Sequence, residues 1–544
     1  MGKKSKRPFL RDTNSHFQLP TSLQNFARYS GLRVNDEKTE IFAIGPHSLV
    51  QDVFTHKIRS MIKILGVYFN YNTPARLKAN CVSIFKSIQG TLNSWKGRGL
   101  TLIGKIQIVK SFIIPQFLSK ATLISVPEDH VKEINKLIYH FIWKGNDEIK
   151  RSALINDIND GSLKMLDIHS MICAQRVMVF KKYADEKNHS SWKITLDYFL
   201  SGVGGKFILL CNFDTKKLPI YLPPFYKEFL DARSRLNKEN ILSYEDVASQ
   251  VIWNNKHIII KKHSVFEEHL LEEDILTVGD LFCRGVKRDL SPTDRFKLMS
   301  LTDAVPVEWR KRVKQSAHYT RPELRNKVHL KIDNTDVDLS SVTSKSLYNA
   351  FTMAKQTPPS AQKRFQDQFP DVQFDWNEIY LLSFKVSLET KIREFQYKVL
   401  NNIVFTNEKL FKIKMIDSPQ CTFRKNKIES LEHLFCNCEI IRSFWVALRS
   451  WLTECNINLE PLSFFNALFG IFNAGEDFVT VNHLILVEKC YIYRCKLNGV
   501  KPAMRVLKTK IGAILNIESR IAFMRNKVEF HDKKWEKKIK CCLN

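Results

Sequence analysis

The chain has 544 residues, 44% hydrophobic and 11% aromatic, which indicates a folded protein, not a disordered one, and suffices for roughly two to four domains with real cores. Its 84 Lys and Arg against 56 Asp and Glu leave a formal charge of +28, a surplus suited to a polyanionic partner. No apolar run approaches the roughly 20 residues that span a bilayer, so nucleic acid is favoured over membrane.

The first residues, Met1-Gly2-Lys3-Lys4-Ser5-Lys6-Arg7-Pro8, form a basic start without the apolar stretch of a secretory signal. Lys3 to Arg7 has the makeup of a short nuclear import patch, and equally of a solvated basic start, so the expected location is nucleus and/or cytoplasm. The 12 cysteines are mostly dispersed, as in a reducing compartment. Residues 9–27 read as a short amphipathic segment with Phe17, Leu19, Leu23 and Phe26 on one face. Alternation over Thr39–Ile44 predicts a strand, Lys63–Phe69 predicts a second, and the two are expected to pair as a hairpin.

Helical periodicity then takes over. Cys81, Ile84, Phe85, Ile88, Leu92 and Trp95 share one face. Leu102, Ile106, Val109 and Ile113 repeat the pattern up to Pro115, with Lys105 and Lys110 on the outer faces. Pro127-Glu128-Asp129 opens a third helix whose face is Val131, Ile134, Ile138, Phe141 and Ile142, ending at Trp143-Lys144-Gly145. Further on, breaks are expected at Leu218-Pro219, near Pro223-Pro224 and at Thr357-Pro358-Pro359-Ser360, the last being the best linker candidate.

Several stretches resemble one family. Ser30-Gly31-Leu32, Asn35 and Lys38-Thr39-Glu40 match the Ser-Gly-Leu-x-x-Asn-x-x-Lys-Thr-Glu block of non-LTR (LINE-class) retrotransposon reverse transcriptases. Trp95, Gly97-Arg98, Leu100-Thr101-Leu102, Gly104-Lys105-Ile106 and later Phe141-Ile142-Trp143 resemble the thumb of those polymerases. Gly161-Ser162-Leu163 resembles the Gly-Gly-Leu turn behind the thumb, with Ser162 in place of a glycine and less backbone freedom there. Phe395-Gln396-Tyr397-Lys398, Leu400-Asn401 and Thr406-Asn407 resemble a helix pair before a cysteine-rich knuckle.

The likeness runs from about residue 9 to 537 and is densest in 9–185 and 391–445. It implies an α+β protein, predominantly α-helical. The expected parts are the basic start at 1–8, a partial palm at 9–72, a helical thumb at 73–190, a connecting region at 191–380 and a C-terminal region at 381–544 with a degenerate zinc knuckle at 421–438 and a basic tail. It further implies that Lys38 lies beside a phosphate and that Lys96, Arg98, Lys105, Lys110 and Lys144 belong to a thumb resting on duplex. The spacing alone fits an ordinary three-helix bundle with lysines outside equally well.

Polymerisation by two metal ions needs clustered carboxylates. In the resembled family two of them sit in a Tyr/Phe-Ala-Asp-Asp turn a few tens of residues before the Ser-Gly-Leu block, and residues 1–27 contain no Asp-Asp pair. The expectation is therefore a remnant of an RNA-directed DNA polymerase, truncated just after that turn, with no catalytic residues, retaining RNA and/or DNA binding within a ribonucleoprotein. Two rivals are an active reverse transcriptase whose front half is supplied separately or lost from the gene model, and a recruited helical scaffold or decayed copy. Glu267-Glu268 and Glu272-Glu273-Asp274 read as solvated helix faces.

The knuckle begins at Cys421 and ends His433-Leu434-Phe435-Cys436-Asn437-Cys438, resembling Cys-x2-Cys-x8-His-x4-Cys. Thiolates and imidazole at such spacing suit tetrahedral zinc, but Arg424 stands where the second cysteine belongs and cannot ligate. Three arrangements stay open: Cys436 as substitute ligand, a weaker three-ligand site of Cys421, His433 and Cys438 completed by water, or a metal-free fold held by Leu431, Leu434, Phe435 and Trp445. From Arg505 to Asn544, eleven Lys and Arg face four Asp and Glu, a net of +7, with Phe523, Phe530 and Trp535 interspersed as stacking platforms or as core.

Overall fold

The computed structural model describes residues 13–33, 35, 39–42, 59–236, 243–283, 290–314, 329–332, 335–457, 459–472, 475, 478–535 and 539. The protein is predominantly helical, and its strands among the described residues form short two-stranded antiparallel hairpins. It divides into two compact units, one of residues 1–93 and 116–134, the other of 94–115 and 135–544.

In the first unit the expected amphipathic segment is the helix Thr13–Ser30. The hairpin differs from expectation. Met61–Ile64 pairs with Val67–Asn70, so what reads as one strand over Lys63–Phe69 is broken in its middle. Leu65 and Gly66 have φ of 50° and 86°, the left-handed pair of a two-residue hairpin turn, and glycine at the second position makes it accessible. Of the strand expected at Thr39–Ile44, residues 39–42 are described, and the Ile41 carbonyl accepts from the Arg59 amide at 2.9 Å. Buried Asn80 fastens the following helix, Thr73–Lys96, to this hairpin: its amide oxygen accepts from the Tyr68 N–H at 2.9 Å and its NH2 donates to the Tyr68 carbonyl at 2.8 Å. Cys81, Ile84, Ile88 and Leu92 are buried along that helix, as the periodicity predicts.

In the second unit Leu102, Ile106, Val109 and Ile113 are buried. Their helix does not stop at Pro115. Leu102–Ile108 passes into a π-helical turn, Val109–Ile113, and on into Ile114–Ala121. Proline has no N–H and its ring crowds the carbonyl four residues back, and a widened turn just before it relieves both. Ile138, Phe141 and Ile142 of the helix Glu128–Trp143 are buried as expected.

One core of this unit surrounds Ile168–Ala184, against which Pro224–Leu236 and Ser344–Met353 pack. Asp167 caps the first of these helices and also accepts from Lys355 Nζ at 2.7 Å, while its amide donates to the Tyr348 hydroxyl at 3.1 Å. A second core surrounds Phe478–Leu497, a helix buried on nearly every side and covered by Trp376–Val386, Thr390–Leu400 and Met504–Met524. The stretch Thr357–Ser360 runs between these two cores, as expected of a linker, and is tied down along its length although only Pro359 of its four residues is buried. The Thr357 amide donates to the Ser152 carbonyl at 3.3 Å, and Asn156 Nδ2 donates to the Thr357 carbonyl at 2.9 Å.

The turn at Gly161 lies against that connection. Gly161 has φ 80°, and a Cβ there would stand 2.5 Å from the Tyr380 ring and 2.9 Å from Pro359. Ser162 is buried at negative φ, so the serine costs the turn none of the freedom it needs.

Candidate metal centre and nucleic-acid contacts

Cys421 begins a tight loop. Its amide donates to the Lys427 carbonyl at 2.8 Å, its carbonyl accepts from the Lys425 amide at 2.9 Å, and Gln420 bridges Ile428. Lys425 takes φ 54° at the tip. On the other side, Ser430 Oγ accepts the His433 amide at 3.0 Å, and the chain makes a π-helical turn over His433–Asn437 closed by the Cys438 amide on the His433 carbonyl at 3.0 Å. Cys438 then becomes the N-cap of the helix Glu439–Glu454. Trp445, one face further on, donates its indole N–H to the Phe435 carbonyl at 2.7 Å and so holds the turn to that helix.

Cys421, His433 and Cys438 converge, with one donor atom from each within 4.8 Å of the others, all three side chains buried. The Cys421 thiol donates to Cys438 Sγ at 3.8 Å. That bond, with the Ile441 and Ile440 amides at the helix start, lowers the Cys438 thiol to about 5 in spite of its burial. Cys421 is raised as the donor of the pair.

These residues fit zinc. Two sulfurs each about 2.3 Å from a tetrahedral ion stand about 3.8 Å apart, the separation seen here. His433 Nε2 is buried without a hydrogen-bond partner, which leaves an imidazole nitrogen free for a metal. Such an ion would replace the Cys421 proton and tie the loop to the helix Glu439–Glu454.

Cys436 is not part of the cluster; its partly buried thiol, pushed up to about 12 by burial, packs on the hydrophobic core instead. Arg424 is turned outward into an ion pair with Glu439, both groups well exposed. Among the described residues the donor set is therefore three, two thiolates and an imidazole.

Sequence reasoning passed over Glu429. Its fully buried carboxylate accepts from the Asn407 amide at 3.1 Å, and from the Thr422 amide and hydroxyl at 2.9 and 2.8 Å, with Lys496 Nζ at 3.5 Å. This one side chain sets the shape of the Cys421 loop. Its only local signal is an acid four residues before His433, which is too common to read.

The basic residues expected on the thumb are placed unevenly. Lys96 and Arg98 are exposed, and the Arg98 guanidinium stacks over the Trp95 ring at 4.3 Å. Lys144 is exposed, just beyond the helix Glu128–Trp143, at φ 60°. Lys105 is a correction to the outer-face reading: it is buried, and its Nζ donates to the Ile142 carbonyl at 2.6 Å, satisfying a last-turn acceptor that the helix leaves open. Burial lowers its pKa, and Lys144 adds to the effect. Lys110 is half-buried, lowered by burial and by Lys164. Lys38 lies outside the described residues. The helix Leu102–Ile108 packs on Thr390–Leu400, where Lys398 pairs with Glu394 at 2.8 Å, so thumb-like residues gather beside the helix that leads into the knuckle.

Residues 343–445 match the protein family described as zinc-binding in reverse transcriptase. The matched span begins at the cap of the helix Ser344–Met353 and includes all three members of the Cys-His-Cys cluster. The family and the donor set agree on zinc as the metal, and the match supports a reverse-transcriptase-related protein.

Proposed function

We propose that this chain binds RNA or DNA as the thumb-and-tail portion of a LINE-type RNA-directed DNA polymerase, and that by itself it does not polymerise. The observation that carries the reading is the convergence of Cys421, His433 and Cys438 inside a segment that matches a reverse-transcriptase zinc-binding family. The +28 charge and the exposed Lys96, Arg98 and Lys144 add cations suited to a phosphate backbone. No Asp-Asp pair occurs in the 544 residues, so they supply no two-metal carboxylate turn of that kind.

The test is a pair of assays on one substrate, an RNA template annealed to a DNA primer. The purified chain is expected to retain the primed template in a gel-shift assay. With all four deoxynucleoside triphosphates and magnesium it is expected to leave the primer unextended. Extension would overturn the non-catalytic part of the proposal, and failure to retain the template would overturn the binding part.

A further inference from the structure

The helix Met504–Met524 carries one acid, Glu518, and that acid is turned inward. Its carboxylate accepts from Lys534 Nζ at 2.7 Å and from the Trp535 indole at 2.8 Å. The opposite face is acid-free from end to end. Arg505, Lys508, Gly512, Asn516, Ser519 and Phe523 recur at i, i+3, i+7, i+11, i+14 and i+18, one stripe about 27 Å long at 1.5 Å per residue. At its start an open groove of about 460 Å³ is lined by Met504, Arg505, Lys508, Thr509 and Gly512. At its end the chain turns a corner where Phe523 is 75% and Phe530 60% exposed, among exposed Arg520, Arg525 and Lys527 and one exposed acid, Glu529. Trp535, the third aromatic of this region, belongs to the core.

We infer that this face is a binding track for single-stranded nucleic acid, with the phosphates along Arg505, Lys508 and Arg520 and unpaired bases stacked on Phe523 and Phe530. Cations in line with exposed aromatics are the two elements such binding needs: charge neutralises the backbone, and rings stack on any base. An apolar corner ringed by cations, with the helix's own acid withdrawn, matches a polyanion that also presents flat apolar faces. The inference rests on the nucleic-acid reading above and adds to it a surface and a strand preference.

The test uses the full chain and two double variants, Phe523→Ala with Phe530→Ala and Arg505→Ala with Arg520→Ala, all at exposed positions. Fluorescence anisotropy with an unstructured oligouridine is expected to lose about tenfold affinity or more in the aromatic variant, at an unchanged salt slope. The basic variant is expected to lower the slope of log K against log salt by about 1.4, two phosphates at roughly 0.7 each. Oligouridine affinities within twofold of wild type in both variants would overturn the inference. So would binding to phosphatidylserine vesicles that the aromatic variant loses while keeping its oligouridine affinity, since the face would then serve a membrane. Primed template is measured in parallel. If wild type and variants all grip it and oligouridine binding is unaffected, the track is wrong and the broader proposal stands; if wild type grips neither, both fall.

Discussion

Arg424→Cys restores the ligand that the Cys-x2-Cys pattern expects, and the structure sets what it should do. Arg424 pairs with Glu439 at side-chain exposures of 41% and 66%, so losing that ion pair costs at most about 0.2–1 kcal/mol. Position 424 nevertheless adjoins the metal cluster: the Phe423 and Arg424 amides face Cys421 Sγ, and Glu439 directly follows Cys438. A third thiolate there would replace water on the ion. Supporting groups around a metal are worth 10–100-fold in affinity, so a direct ligand should tighten zinc on the order of 100-fold. At saturating zinc that is about 2.7 kcal/mol of added stability, or about 3 °C in the melting of the second unit, whose 432 residues unfold with roughly 0.9 kcal/mol/K of entropy. The assays are competition against a colorimetric chelator and thermal melting followed by tryptophan fluorescence, each with zinc and with EDTA. The variant should melt with wild type in EDTA and about 3 °C above it in zinc. Equal zinc affinity and equal melting in zinc would refute the placement of an ion among Cys421, His433 and Cys438.

Gly161→Ala should destabilise by about 2–4 kcal/mol in urea denaturation, because it combines a left-handed φ with a Cβ 2.5 Å from the Tyr380 ring, whereas Ser162→Gly should stay within about 1 kcal/mol; the reverse order would put the turn's need for glycine at the wrong residue. Lys489 is fully buried, which lowers it to about 7, and its Nζ donates to Gln396 Oε1 at 2.8 Å and to the Leu468 carbonyl at 3.1 Å. Between pH 7 and its ordinary value of 10.5 the folded chain therefore holds fewer protons than the unfolded one, so this residue makes stability rise with pH across that window. From pH 7 to 9 the wild type should gain about 2 kcal/mol more than Lys489→Met does, and equal gains would count against the burial.

The helical faces were legible because burial on one side of a helix leaves a period. Ile84, Ile88 and Leu92, then Ile106, Val109 and Ile113, then Ile138 and Ile142 all stand where the period puts them. What escaped depends on contacts the local sequence does not contain. Lys105 reads as an outer lysine until the open carbonyl of Ile142 is seen beside it. Lys63–Phe69 reads as one strand because its alternation carries across Leu65-Gly66, and only the positive φ at both residues reveals the turn. Pro115 reads as a stop, yet a π-helical turn just before it lets the helix continue. Thr357-Pro358-Pro359-Ser360 has the composition of a linker and connects two cores, but Ser152 and Asn156, which hold it, stand some 200 residues earlier in the chain.

In the metal cluster the ligand types were readable from spacing, and the choice among the three arrangements was not. It turns on Cys436, which follows the π-helical turn over His433–Asn437 to pack at the partly buried edge of the same core and stays outside the group of three donors.

The central claim is that this chain grips a nucleic-acid backbone through its cations, and the salt dependence of binding to a primed RNA template tests it most directly. With about five or six of the exposed Lys and Arg on phosphates, log K should fall against log salt with a slope of about −4 to −5. A flat slope, or no binding at low salt, would contradict the account and leave the +28 charge without the partner assigned to it.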